Sequence, residues 1–295
     1  MEPVQASPTR SAAAWADSSR PSKPVGAVSC GREGHEPAAS PRLASERGVC
    51  FAAFRRFCLD EAARMQRHGE AYVRKGIRRY WATFRICAKL VRPGDEILSA
   101  GAGGAFIEKA LSHWYGARVT AVEFPQAVQA HASDYRRYGI RGMGANLAAP
   151  WDLDLDGPFD MALSFQVIEH LPVPPQEHIA PLAAHLRPGG HLVLSTPNFA
   201  RASNLVRLAI GKPLLADPRL AFQPASYERE HVHRREYVAE ELVDAFAHCG
   251  LEHLATHYHL SLGPFRTSPR TIALRLVCAV VPRLRNTLIL VGRKR

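Results

Sequence analysis

The chain has 295 residues, 46% of them apolar, enough to bury one large or two small domains, and a formal net charge of +11. No apolar run approaches the ~18 residues of a membrane span, and the longest candidate, 272–282, is interrupted by Arg275. Six cysteines without a Cys-x-x-Cys pair favour reduced thiols and a cytoplasmic location over a disulfide framework or a zinc centre.

Residues 1–48 are dense in Pro, Ala, Ser, Gly and Arg without periodicity. Such a segment buries too little to offset its chain entropy, so a disordered tail is expected there, followed by one domain over 49–295. The tail lacks a signal peptide's apolar centre, and Glu2, Asp17, Glu33 and Glu36 argue against a transit peptide. Between Ala71 and Gly94 there are seven basic residues and no acidic one, and the last 13 residues add Arg283, Arg285, Arg293, Lys294 and Arg295. These fit either a solvated basic surface or attraction to an anionic partner, such as a phospholipid surface, a nucleotide-linked sugar or RNA.

Residues 54–90 read as one or two helices, with Ile77, Tyr80, Trp81, Phe84, Ala88 and Val91 at helical spacing. "RPGD" at 92–95 is a turn. Strands and helices then alternate: strand 97–100, helix 105–115, strand 118–124, helix 125–138, a short strand at 142–147, and a buried strand at 159–167. A helix over 178–186, an "RPGG" turn and a strand at 191–196 complete the run. Residues 198–235 lose the pattern and read as a lid or substrate-binding insertion, too long for an ordinary connection. A helix at 239–249 and strands at 251–260 and 286–294 close the chain. The alternation predicts an α/β fold with a doubly wound, mostly parallel sheet.

Ligands of such sheets bind beyond the carboxyl ends of the strands. After the first strand comes "GAGGA", Gly101 to Ala105, where glycines permit positive φ and the following helix start favours an anionic group. Glu123 ends the second strand, where a carboxylate can accept from both hydroxyls of a ribose. A nicotinamide dinucleotide and S-adenosylmethionine remain equally possible on these features. A dinucleotide fingerprint wants a further glycine at 106, and Phe106 stands there instead.

With "GPFDMALSFQVIEHLP" and "LRPGGHLVLSTPN" at the distances of the fourth and fifth strands, the sequence resembles class I S-adenosylmethionine-dependent methyltransferases. Nearest in kind are ubiquinone-pathway O-methyltransferases and methyltransferases of bacterial glycan and natural-product clusters. The likeness spans about residues 70 to 295, including "REHVHRREYVAEELVDAFAHCGLE". It implies a Rossmann-like seven-stranded sheet with an antiparallel last strand, a helical N-terminal cap and a lid insertion after the fifth strand. By the same resemblance Gly101, Ala102, Gly103 and Ala105 pass under the methionine part of the cofactor. Glu123, with Phe124, holds the ribose. Asn146 and Leu147 flank the adenine, and Gln166 faces the sulfonium or the acceptor. Ser99 belongs to the same site but departs from the family, which commonly has there an acid that helps hold the methionine ammonium.

A hydroxyl acceptor needs a base, and His170 and His231 are the candidates; His233, inside a dense Arg/His run, reads as a solvated lid residue. Some relatives bind a divalent ion through Glu-x-x-Glu-His. Gln166 replaces the first of those carboxylates, which disfavours Mg²⁺, and no metal ligand is assigned. The leading expectation is O-methylation of a small-molecule, sugar or glycan-type acceptor. Alternatives are a quinone or lipid phenol methylated at an anionic membrane surface, and a non-catalytic binding protein motivated by Ser99. No nucleic-acid partner is expected, because "SFQV" stands where a base-methylating motif would follow the fourth strand.

Overall fold

The computed structural model describes residues 48–65, 70–149, 153, 155–214, 219, 223, 232–261 and 269–295. All but the last residue of the expected tail lies outside that set.

The N-terminal helical region is two helices, α1 (Phe51–Arg64) and α2 (Glu70–Leu90). They are pinned by aromatic stacking: Phe54 lies 4.7 Å from Phe84, and both approach Trp114 of the next helix. The chain then alternates through β1 (Glu96–Ala100), α3 (Phe106–Tyr115), β2 (Arg118–Glu123), α4 (Pro125–Arg137), β3 (Arg141–Gly144) and β4 (Phe159–Phe165). A 3₁₀ turn at Ile168–His170, α5 (Pro175–His185), β5 (Leu186–Pro197) and α6 (Ala202–Ala209) follow. The C-terminal part is α7 (Ala239–His248), β6 (Leu251–His259), α8 (Pro269–Val280), a 3₁₀ turn at Pro282–Leu284 and β7 (Thr287–Lys294).

All seven strands form one sheet in the order β3-β2-β1-β4-β5-β7-β6. β1 to β5 are parallel, and β7 runs antiparallel to both of its neighbours. The central strands are buried on both faces, as parallel strands covered by helices must be. One core cluster joins the sheet to α1 through α4; the other joins it to α5 and α7.

Three elements differ from the sequence expectation. The "RPGG" segment is not a turn before β5 but its first residues. Leu186 already pairs with Phe159, and the register shift before Met161 absorbs the irregularity. Residues 198–235, expected to be irregular, contain α6. The helix α8 was also not expected: it carries no polar stripe, and most of its apolar side chains face outward.

Candidate active site at the carboxyl ends of the strands

Past Ala100 the chain turns through Gly101 (φ +76°), Gly103 (φ +51°) and Ala105 (φ +51°) into α3. A Cβ on Gly101 would stand 2.2 Å from Val167 Cγ2, so only glycine lets the loop pass the end of β4. Ala105 takes the left-handed conformation without being glycine, a strain of about 1 kcal/mol of the kind that concentrates at functional sites. The loop is held from its neighbours. Gly101 N donates to Val122 O at 2.9 Å, Gly103 N to Glu123 Oε1 at 2.7 Å, and the Tyr135 hydroxyl to Gly103 O at 3.0 Å. A Cβ on Gly103 would meet nothing nearer than Glu123 Oε1 at 4.0 Å, so the loop leaves open space beside the carboxylate, a cradle that fits a cofactor.

Ser99 does not face that space as an isolated substitution. It is buried, and its hydroxyl donates to Glu108 Oε1 at 2.7 Å. Glu108, in the first turn of α3, is itself buried, so a carboxylate stands behind the loop although β1 lacks one. Burial raises the Glu108 pKa, and the Ser99 hydrogen bond works against that rise. Nothing in the sequence pattern flagged this pair.

Asn146 is exposed, and its Oδ1 accepts from Ala148 N at 3.0 Å, which caps its own turn; Leu147 beside it is buried. Gln166, at the end of β4, has φ +59° and an amide fixed on two sides. Its Oε1 accepts from Arg79 Nη1 at 3.0 Å, and its Nε2 lies 3.5 Å from Ser195 Oγ. Arg79 therefore leaves the basic row of α2 and enters the site, a role its surroundings in the sequence did not indicate.

The 3₁₀ turn after β4 presents Glu169 and His170. Glu169 is fully buried; its Oε2 accepts from the Thr196 hydroxyl at 2.9 Å, while Oε1 has no hydrogen-bond donor among the described residues. Burial pushes its pKa up to about 7, against the pull of the Thr196 bond and of the positive charge of His233 and Arg79. His170 Nε2 lies 3.7 Å from Glu169 Oε1, and its Nδ1 lies 2.9 Å from Val232 O. Arg234 clamps this turn to the returning chain, its backbone N donating to Glu169 O and its Nε to His170 O.

His231, expected as an alternative base, lies outside the described residues. His233 corrects the sequence reading. Its side chain is 38% exposed, yet it packs edge-on against His170 with ring centroids 4.8 Å apart, and its Nδ1 bonds Glu236 Oε1 at 3.0 Å. That bond raises the His233 pKa. Glu236 is in turn paired with Arg201 at the start of α6. Glu169, His170 and His233 each offer a ligand atom, and these lie within 4.8 Å of one another. Gln166 is not part of that set. The donors that could hold a cation are thus one carboxylate and two imidazoles, a set better suited to transition metals than to Mg²⁺.

A model of the methyltransferase-domain family matches residues 65–256. A ubiquinone biosynthesis O-methyltransferase of Xanthomonas axonopodis pv. citri (strain 306) is 31% identical over 128 residues, 40% of this chain and 49% of that protein. A "Probable S-adenosylmethionine-dependent methyltransferase" of Mycolicibacterium smegmatis is 34% identical over 107 residues, 36% of this chain and 39% of that one. The chain thus spans about half or less of the length of these curated relatives. Among solved structures, a chain of the "Complex between the Haloferax volcanii Trm112 methyltransferase activator and the putative methyltransferase" shares the fold. Its TM-score is 0.53 at 19% identity, covering 81% of this chain and 96% of that one. The family match over most of the chain, carried on a sheet of this strand order, makes the chain a member of the methyltransferase-domain family.

Proposed function

We propose that this enzyme methylates a hydroxyl oxygen of a small-molecule, sugar or glycan-type acceptor, with His170 as the base that removes the hydroxyl proton. The observation that carries the reading is the orientation of His170. The Val232 carbonyl beside Nδ1 can only accept, so Nδ1 carries the hydrogen and Nε2 is the basic nitrogen of the neutral ring. The Glu169 carboxyl, 3.7 Å from Nε2, stabilises the imidazolium formed when that proton arrives.

Bound S-adenosylmethionine supplies an already activated methyl group, which leaves alignment, proton removal and exclusion of water to the protein. Gly101, Ala102, Gly103 and Ala105 support the methionine part, and Glu123 with Phe124 holds the ribose. Leu147 packs against the adenine, with Asn146 at its edge. Gln166, fixed by Arg79, orients the acceptor toward His170. The relatives named as ubiquinone O-methyltransferases support an oxygen acceptor, and a quinone or lipid phenol is the alternative substrate class.

A second reading is favoured by the histidine surroundings. His170 and His233 both engage Nδ1 with an oxygen, the outer-shell pattern that orients imidazole Nε2 toward a metal. A divalent cation there would be held by Glu169, His170 and His233, and would lower the pKa of a hydroxyl bound to it.

The test is S-adenosylhomocysteine release with catechols, a quinol and nucleotide sugars as acceptors, alongside calorimetry of cofactor binding. His170→Ala is expected to lower kcat by about 100-fold or more with cofactor affinity retained, and a chelator to have no effect. Loss of activity on chelation, restored by Mn²⁺ or Zn²⁺, moves the assignment to the metal reading. Methylation of amines but of no hydroxyl in the panel overturns both.

A further inference from the structure

We infer that α6, α8 and the 3₁₀ turn at Pro282–Leu284 form a docking face for an anionic phospholipid surface, set beside the mouth of the active site. α6 leaves β5 and the 3₁₀ turn feeds β7 at the end where Pro197 pairs with Thr287, the same carboxyl end of the sheet that carries the glycine loop. The two helices touch each other. Asn198, just before α6, fastens that segment to the 3₁₀ turn that follows α8: its Nδ2 donates to Arg283 O and Arg285 O, both at 2.7 Å. Arg201, at the start of α6, holds the Glu236 that bonds His233, so the face begins one residue pair away from the candidate base.

Its chemistry is unusual for a surface. Val206 and Ile210 of the α6 segment are 60% and 63% exposed, and Leu276 and Val280 of α8 are 64% and 82% exposed. Leu205, Leu208, Ile272, Val277 and Val281 are exposed beside them. Contiguous exposed apolar side chains of this kind mark an interaction surface. The segments that carry them contain no acidic residue in 201–214 or in 261–295. Arg207, Lys212, Arg275 and Arg283 are interspersed or at the edge, and all four are exposed. At the edge Arg283 shares an exposed ion pair with Glu240 of α7 at 3.7 Å, and the other charged side chains of these segments are cationic. Apolar side chains flanked mostly by cations are what an interfacial helix offers to anionic headgroups. A second copy of the chain would bring the same cations against each other in a self-complementary contact, which favours lipid over a dimer. α8 has 12 residues and no helix among the described residues is long and apolar enough to cross a membrane, so the face lies on the surface.

The inference rests on none of the catalytic roles proposed above, and the experiment separates them. The full chain is sedimented with phosphatidylcholine vesicles and with vesicles containing about 30% phosphatidylglycerol, in low and high salt. Binding is expected only with phosphatidylglycerol, weakened by salt, and reduced about tenfold or more by Leu276→Asp/Val280→Asp and by Val206→Asp/Ile210→Asp. The variants are expected to keep the wild-type cofactor affinity by calorimetry, which shows that they fold. If one pair fails to fold, the other decides. No binding to anionic vesicles, or binding unaffected by a folded variant, overturns the inference. So does a wild-type dimer in ultracentrifugation that the variants dissociate, which assigns the face to a second copy. Loss of cofactor binding in the wild type bears on the active site and not on this face.

Discussion

One carboxylate ties the glycine loop to the neighbouring strand: Glu123 Oε1 accepts the Gly103 amide at 2.7 Å, and Oε2 accepts the Phe124 amide at 3.2 Å. The residue proposed to hold the ribose therefore also shapes the loop. Glu123→Ala is expected to weaken cofactor binding by about 100-fold or more, the scale of several charge-assisted hydrogen bonds, and to speed amide exchange at 101–105. Glu123→Gln keeps one oxygen acceptor, so the loop should stay protected while affinity falls less. Calorimetry and hydrogen exchange read the two effects apart, and wild-type affinity in the alanine variant would remove Glu123 from the site.

Gly101 and Val167 make a second testable pair. Gly101→Ala imposes a left-handed alanine and a methyl group 2.2 Å from Val167 Cγ2, and should cost about 3 kcal/mol in denaturant unfolding. Val167→Ala removes the collision and leaves the φ penalty but truncates a buried core residue, so the cost of Gly101→Ala should be about half as large when measured in the Val167→Ala background. A cost of Gly101→Ala that is the same with Val167 and with Ala at that position would mean that the contact with Val167 does not set the loop's path.

What the sequence disclosed and what it hid divide along sequence separation. Gly101 and Glu123 were legible because one directly follows a strand and the other ends one, and the apolar runs of both strands can be read locally. The antiparallel β7 was legible only through resemblance, since no local pattern distinguishes it from a parallel strand. The place of His233 beside His170 was missed because it depends on Arg234 N bonding Glu169 O, a contact between segments 65 residues apart. Arg79 was hidden by its basic neighbours on α2, most of which do face solvent. α8 was hidden by the absence of the polar stripe that normally marks a surface helix.

His178 gives the structure a dependence on pH. It is fully buried with Nε2 2.8 Å from Ser164 Oγ, and burial pulls its pKa down from 6.5 to about 4. The fold therefore holds it neutral. Its contribution is complete above the unfolded value and is lost as pH falls from 6.5 toward 4, about 3 kcal/mol in all. Glu169, whose pKa is raised, gains stability on acidification over part of the same window, so the raw curve mixes opposing effects. The wild-type advantage over His178→Gln isolates the histidine: it should shrink by about 3 kcal/mol between neutral pH and pH 4. A difference that stays constant with pH would show that His178 titrates normally.

Ser99 and Glu108 pose the last question, whether the missing acid of β1 is a defect or has been exchanged for another. The hydroxyl of Ser99 is 2.7 Å from a buried carboxylate that needs a donor. Ser99→Ala should therefore cost about 1–3 kcal/mol, the penalty of an unsatisfied buried polar group. Ser99→Asp introduces the acid that the family resemblance leads one to expect at this position but sets two carboxylates side by side in a buried place, so it should be destabilised at neutral pH and partly recovered in acid. Pairing it with Glu108→Gln supplies an amide donor and removes one charge. Ser99→Asp/Glu108→Gln is then expected to recover wild-type stability and to bind S-adenosylmethionine at least as tightly as the wild type. If Ser99→Asp alone is as stable and binds as well, the two positions are not coupled, and the hydrogen bond between them has no bearing on the cofactor loop.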